Sequence, residues 1–310
     1  MFSGWSANLE WRSSRRVGRS FPPSAIERVE YRGRVPELPE VEAARALIAR
    51  AALQREIAVV DDADTYVCRP HAPGELADAL SGRTLTAANR IGKSMWIETD
   101  EGEGPSLGLH LGMAGRIIID GAHAGDPLSA AEAREAVEAG GHPDPRLSGD
   151  PAWARFTLEF ADGGRLVLFD KRRLGRAVLN PDLTHLGPDA AEISAADFRE
   201  RVGRGDAPLK ARIMDQSVLA GVGNLLADEA LWRAELSPVR AAGELDDEEL
   251  NRLRRAIRST TRDAIRLGGV HTGTLIEHRR RDGHCPRCGA PLVRGKVGGR
   301  TTWWCPEEQR

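Results

Sequence analysis

The spacing of hydrophobic and polar positions changes twice along the chain, and the changes divide it into parts. In RVPELPEVEAARALIAR, residues 34–50, Val41, Ala44, Leu47 and Ile48 recur at helical spacing and predict a helix from about Glu40 to residue 54 with one buried face. Pro36 and Pro39 donate no backbone hydrogen bond, so the chain resists helix until Pro39 seeds a first turn. Glu40 and Glu42 suit the positive end of the helix dipole, whereas Pro36 and Glu37 have no part in this account. The pattern then shortens to β-rich runs: SMWIET at 94–99, GRIIID at 115–120, RFTLEF at 155–160 and RLVLFD at 165–170. Gly and Asp turns between them predict hairpins of an antiparallel sheet system. Residues 121–151, rich in Ala, Gly, Pro and acids, predict a surface insertion, flexible and carrying one short helix. From about Ser194 helical spacing returns in SAADFRERV, PLKARIMDQ, NLLADEALWRA and DDEELNRLRRAIRSTTRDAIRLGG. The chain therefore reads as an α+β multidomain protein, β-rich to about residue 185, then helical, ending in a small cysteine module.

Composition adds limits. With 310 residues and 41% hydrophobic content the chain can bury a substantial core, enough for about two domains. No apolar run reaches membrane-spanning length, and the first 34 residues hold no continuous apolar stretch of the kind a secretory signal needs. The expected location is the cytoplasm, at the nucleoid in a bacterium. A net charge of -2 excludes a uniformly basic nucleic-acid binder, yet residues 251–310 hold 14 Lys plus Arg against 5 Asp plus Glu. That end can meet a polyanion, although a solvated basic surface accounts for the charge alone equally well. Three of the four cysteines, Cys285, Cys288 and Cys305, crowd the tail while Cys68 stands apart, which favours metal binding over a disulfide framework.

Several segments carry candidate chemistry. CPRCGAPLVRGKVGGRTTWWCPEEQR has a C-x2-C pair, a hairpin-like spacer, then Cys305 with Glu308 where a fourth cysteine would complete a second pair. Cys285, Cys288, Cys305 and Glu308 are the candidate ligands of one structural zinc ion, with His284 the alternative fourth ligand and a weakened or unoccupied site the alternative to zinc. Arg300, at the tip of the hairpin, is placed to present a guanidinium to a phosphate, or is a plain surface arginine. In LAGVGNLLADEAL, Gly221 and Gly223 form a tight turn and Asn224 opens a helix, as a cap or as a donor to an anion. Lys93 follows Gly92 at a hairpin entrance, Met113 lies among glycines in LHLGMAGR, and Arg172 and Leu174 lie in the cationic turn FDKRRLGR. Proteins that open a duplex use exposed apolar wedges beside Arg and Lys in this way.

PELPEVE at 36–42, GKSMW around Lys93, HLGMAGR at 110–116, KRRLG at 171–175, LKARIMDQSVLAGVGNLLADEALWRAELSP at 209–238 and the cysteine tail occur in this order. Together these six segments resemble the formamidopyrimidine-DNA glycosylase and endonuclease VIII family of base-excision repair enzymes, over nearly everything from Pro36 onward. The resemblance implies a catalytic N-terminal β-sandwich with flanking helices over 36–185, a helix-two-turns-helix domain over 186–270 and a zinc-ribbon-like module over 271–310. It implies a monomer that binds double-stranded DNA containing damaged bases or abasic sites in the cleft between the halves. In the family the processed protein begins at proline, whose secondary amine attacks C1' of the damaged nucleotide, expels the base and forms an iminium before elimination cuts the strand. By position, Pro36, Glu37 and Lys93 would be catalytic, with Glu37 assisting opening of the sugar ring and Glu40 supporting the amine. Lys93, Lys210, Asn224 and Arg300 would hold phosphates, and Met113, Arg172 and Leu174 would fill the gap left by the flipped nucleotide.

Three departures qualify the resemblance. A proline inside a chain has an amide nitrogen with a delocalised lone pair, so Pro36 bonded to Val35 cannot form an iminium. Residues 1–35 are accordingly expected to be a gene-start error or a processed extension, with Val35 marking the true initiation codon. A retained extension would leave a damaged-DNA or abasic-site binding protein without catalysis. Leu174 stands where phenylalanine is common, and wedges without stacking as well. The stretch GGVHTGTLIEHRRRDGHCP passes almost directly from helix to ribbon, without the loop that caps a flipped 8-oxoguanine in family members that prefer it. Formamidopyrimidines, further-oxidised purines, oxidised pyrimidines and abasic sites all stay open as substrates. A zinc-ribbon regulator that reads intact DNA would not account for the six segments.

Overall fold

The computed structural model describes residues 35–120 and 151–310. The extension expected at 1–35 and the insertion expected at 121–151 lie, but for Val35 and Pro151, outside the described residues. Helix α1 (Leu38–Ala51) starts two residues before the predicted Glu40, because Glu37 takes the cap position and Pro39 falls inside the first turn. Its apolar stripe is as the spacing predicts, with Val41, Ala44, Leu47 and Ile48 all buried.

Eight strands follow, interrupted by a short helix α2 (Glu75–Leu80): β1 (Ile57–Asp61), β2 (Leu85–Ile91), β3 (Ser94–Thr99), β4 (Leu107–His110), β5 (Arg116–Asp120), β6 (Ala154–Phe160), β7 (Arg165–Phe169) and β8 (Arg176–Leu179). They form two antiparallel four-stranded sheets, ordered β1-β6-β7-β5 and β2-β3-β4-β8. Phe156, Leu158 and Leu168 of the first sheet share one core with Met95, Ile97 and Leu109 of the second, and Val41 and Ile48 of α1 close it. This is the expected sandwich. Each such side chain contributes about 2 kcal/mol by removal of apolar surface from water. Strands β3, β5, β6 and β7 match the predicted runs. Of the other four, β4 and β8 have only four residues each, and β1 and β2 (LTAANRI) are only partly buried.

The helical half comprises α3 (Ala195–Val202), α4 (Leu209–Met214), α5 (Asn224–Arg233) and α6 (Asp247–Leu267). Asp246 caps α6 by accepting from the Glu249 amide at 2.8 Å, and Gly268 ends it at φ 90°, where a side chain would be strained. Phe198, Ile213, Leu226 and Leu253 build a second core, and Leu38, from the first turn of α1, belongs to it. The tail forms the expected hairpin, β9 (Val293–Val297) and β10 (Arg300–Trp304), and a small third core of Trp232, Leu275, Cys285 and Cys305 fastens the cysteine module to α5. Among the described residues no helix is long and apolar enough to cross a membrane.

Two features position the site. Register pairs Ser94 with His110 and His110 with Arg176, so Lys93, the turn after β4 and the turn before β8 emerge at one end of the sheet β2-β3-β4-β8. Second, the two halves are joined at that end. The Leu38 amide donates to the Gly221 carbonyl at 3.3 Å, the Gly92 amide donates to Asp189 Oδ2 at 2.7 Å, and Arg90 pairs with Asp189.

Glu40 completes the joint. Its Oε2 accepts from the Glu37 amide at 3.0 Å and its Oε1 from the Val270 amide at 2.8 Å, so one carboxyl spans the start of α1 and the turn after α6. Burial pushes Glu40 up from 4.5 to about 7, against the pull of those two amides. A carboxyl raised in this way holds its proton more tightly in the folded state. Its stabilising contribution is complete below 4.5 and is lost as the pH rises through about 7. The melting temperature should therefore fall more steeply between about pH 5 and pH 8 in the native protein than in Glu40→Gln. Thermal unfolding across that range checks this, and parallel curves would contradict it.

Candidate active site

The segment that leads into α1 lies against the first turn of α5. Glu37 is 2% exposed, and its Oε1 and Oε2 accept from the amides of Leu225 and Leu226 at 2.8 and 2.9 Å. These amides have no partner within the helix, so they receive an anion at the positive end of its dipole. The turn before α5 is shaped for this approach. A Cβ on Gly223 would stand 2.2 Å from the Glu37 carboxyl carbon, and one on Gly221, at φ +111°, 2.5 Å from Leu38 Cδ1. Burial nevertheless dominates and raises the Glu37 carboxyl above its ordinary range, while Lys93 and the two amides pull it down. Pro36, next to it, is buried, and Val35 is 44% exposed.

Lys93 reaches the same place from the sheet. Its Nζ donates to the Val222 carbonyl at 2.9 Å. Gly92, at φ +57°, packs so closely on the helical half that a Cβ would lie 2.7 Å from Ala220 Cβ. Burial holds the Lys93 ammonium below the usual lysine range; Glu37 opposes this and the positive charge of Arg300 adds to it. Arg300 is exposed at the start of β10, and the turn before it rests on α4, where a Cβ on Gly298 would meet Ala211 at 3.0 Å. Pro36, Glu37, Lys93, Asn224 and Arg300 thus converge. Lys210 is in their midst but fully buried: its Nζ donates to Asn224 Oδ1 at 2.7 Å and pairs with Asp228 Oδ1 at 2.6 Å.

Met113, Arg172 and Leu174 form a second group at the same end of the sheet. Met113 and Leu174 are each 39% exposed, and Arg172 is exposed. Their turns touch: a Cβ on Gly112, at φ +59°, would lie 2.4 Å from the Leu174 carbonyl carbon. Buried Asp170 holds the second turn by accepting from the Arg172 amide at 2.9 Å and from the Leu174 and Gly175 amides at 2.7 Å each. Two apolar side chains are therefore presented to solvent on rigid turns beside cations.

The tail gathers Cys285, Cys288 and Cys305 so that their sulfurs lie within 4.8 Å of one another, and none is in a disulfide. Three thiols at that separation can hold a metal ion. Neither proposed fourth ligand joins them. Glu308 Oε2 accepts from Arg287 Nη1 at 2.9 Å, and His284 is exposed, its backbone bridged to Pro291.

Asp189, Asp170 and Asp228 are the residues that the spacing arguments passed over. Asp228 carried a readable signal: with Glu229 it interrupts an apolar helix, and it lies one turn after Asn224, on the same face. Asp189 and Asp170 sit in irregular loops, where a lone aspartate has no distinguishing neighbour.

Known proteins resemble this chain in sequence and in fold. The profile of the formamidopyrimidine-DNA glycosylase N-terminal domain matches residues 35–177, and that of the formamidopyrimidine-DNA glycosylase H2TH domain matches 186–275. A formamidopyrimidine-DNA glycosylase of Nocardioides is 32% identical over 88% of this chain and 93% of its own length. One from Rhizobium leguminosarum is 33% identical over 89% of this chain and all of its own. The crystal structure of the MutM (Fpg) protein from Thermus thermophilus superposes with a TM-score of 0.68 at 30% identity, covering 88% of this chain and 98% of that one. Lactococcus lactis Fpg in complex with DNA containing an abasic site superposes with a TM-score of 0.70 at 25% identity, covering 89% and 100%. With matching profiles over both halves and relatives of this identity along nearly their whole length, the chain belongs to the formamidopyrimidine-DNA glycosylase family.

Proposed function

We propose that this protein is a bifunctional DNA glycosylase and AP lyase of base-excision repair, removing oxidised bases from double-stranded DNA and cutting at abasic sites through Pro36. The observation that carries the reading is the docking of Glu37, the neighbour of Pro36, on the first turn of α5, which Asn224 opens and whose preceding turn Lys93 contacts through the Val222 carbonyl. Solved complexes of Lactococcus lactis Fpg with Fapy-dG DNA and with an abasic site support the substrate class.

A terminal secondary amine with a pKa of about 8 is partly unprotonated at neutral pH and nucleophilic. Its lone pair attacks C1', the bond from C1' to the base breaks, and the base leaves with the bonding pair and takes up the proton that the attacking nitrogen gives up, which restores a lone pair on that nitrogen. Glu37, whose carboxyl burial raises above its ordinary range, is placed to give a proton to the ring oxygen as the bond from C1' to that oxygen opens and the nitrogen pair completes the iminium. The cationic iminium acidifies the neighbouring C2' position; loss of that proton and rupture of the bond from C3' to oxygen cut the strand. Lys93 and Arg300 bring positive charge to the flanking phosphates.

This chemistry needs residue 36 to be the amino terminus. The profile match that begins at residue 35, and the full coverage of the Rhizobium relative by 89% of this chain, support a reactive form starting there. Met113, Arg172 and Leu174 enter the space left by the extruded nucleotide. The three thiols fit a zinc ion, which when bound would brace the ribbon; Glu308, the fourth donor we assign, would leave Arg287 to reach it.

Borohydride reduction in the presence of abasic DNA should link the protein that begins at Pro36 covalently to the strand. A version beginning at Met1 should bind without reacting, and equal trapping of both would contradict the mechanism. Leu174→Ala should slow excision from duplex DNA by about tenfold while leaving stability within about 0.5 kcal/mol, since the side chain is exposed. Single-turnover rates and thermal unfolding test this, and Leu174→Phe should recover or exceed the native rate. Metal analysis should find about one zinc per chain, falling sharply in Cys288→Ser; a metal-free native protein would remove that assignment.

A further inference from the structure

Lys210 is expected from its position to hold a DNA phosphate, yet its surroundings make that role hard to fill. Its side chain and that of Asp228 are both 0% exposed. An ammonium has three N–H donors, and four oxygens surround this one: Asp228 Oδ1 at 2.6 Å, Asn224 Oδ1 at 2.7 Å, Thr302 Oγ1 at 2.9 Å and the Thr301 carbonyl at 3.5 Å. Asp228 is shared further. Its Oδ2 faces Arg279 Nε at 2.8 Å and accepts from the Trp303 amide at 3.3 Å, and Arg279 also donates to the Thr301 carbonyl at 3.2 Å.

We propose that Asp228 is a positioning residue for DNA binding: by holding Lys210 inside the protein, it sets the two outward groups, Asn224 and Arg300, that take the phosphates. Two relays lead out of the buried pair. In the first, Lys210 can only donate, so the Asn224 atom facing it is the oxygen, and the amide NH2 is left for a phosphate oxygen. In the second, Thr302 Oγ1 accepts from Lys210 and donates to the Arg300 carbonyl at 3.0 Å, which fixes the first residue of β10. The Asp228 carboxylate is what keeps two cations, Lys210 and Arg279, side by side out of water and ties α5 to the ribbon through the Trp303 amide. An ion pair so enclosed stabilises little in itself, but removing one partner strands the other charge, so the arrangement is all or nothing.

The direction of the Asp228→Asn effect separates this role from the simple one. If Lys210 were a phosphate ligand restrained by Asp228, neutralising the aspartate would free the ammonium and tighten DNA binding. Under the present proposal the same change disorders Asn224 and Arg300 and weakens it. The measurement is the dissociation constant for a duplex carrying a stable abasic-site analogue, with KM and kcat for a natural abasic site, all using protein that begins at Pro36. Asp228→Asn should raise the dissociation constant and KM about tenfold with kcat changed far less, and in a chain already carrying Asn224→Ala and Arg300→Ala it should cost less than about twofold. Thr302→Val, which deletes only a buried hydroxyl, should weaken binding about threefold and so tests the second relay should Asp228→Asn not fold. Tighter binding in Asp228→Asn, or an undiminished loss in the Asn224→Ala and Arg300→Ala background, would overturn the proposal; with Asp228→Asn unfolded, unchanged binding in Thr302→Val would do so. The inference rests on the assignment of Asn224 and Arg300 as phosphate ligands within the proposed function. Borohydride trapping by the native Pro36-initiated protein tests that function independently, so trapping together with tighter binding in Asp228→Asn would reject this inference alone.

Discussion

The reception of one carboxyl by one helix end organises this protein. Glu37 gives both oxygens to the amides of Leu225 and Leu226, and everything near it is arranged to allow that. Gly223 leaves no room for a side chain because the carboxyl occupies it, and Gly221 lets Leu38 enter the helical core. The glycines of the turn and the acid just before α1, far apart in the sequence, are therefore a single design. The helix dipole and its free amides favour the ionised form while burial opposes it, and burial prevails. The outcome is a carboxyl raised above its ordinary range, held next to Pro36.

Around this contact the two halves take different tasks. The sheet end supplies Lys93 and the exposed Met113 and Leu174, each on a turn held by backbone contacts or by Asp170. The helical half and ribbon supply Asn224 and Arg300, held from behind by buried charges. Rigid placement matters because extruding a nucleotide costs a few kcal/mol of stacking and pairing. Groups that had to be ordered at the same moment would add to that cost.

Legibility from sequence followed physical period. Helix α1 and the long α6 were readable because their apolar stripes repeat and their ends carry proline, aspartate and glycine signals. Strands β3, β5, β6 and β7 were readable as β-rich runs, while β2 and β4 were not, since one is half-buried and the other has only four residues with Gly108 among them. Pro36, Glu37, Lys93 and Asn224 came to notice through local oddity combined with resemblance, and the structure places them together. Position marks Lys210 as a phosphate contact, and position alone does not convey that it pairs with Asp228, eighteen residues later and one helix away, out of solvent. Spacing marks Glu308 as a metal ligand but does not convey that Arg287 pairs with it in the folded chain. Long-range partners decide such roles, and they exist only after folding.

The account centres on the residue 36 nitrogen, and its location in the covalent complex is the most direct test. Protein beginning at Pro36 would be reduced on abasic DNA, digested, and its crosslinked peptide sequenced by tandem mass spectrometry. The account expects the deoxyribose remnant on the nitrogen of Pro36 alone. Finding it on the Lys93 amine, or on any other residue, would contradict the central claim.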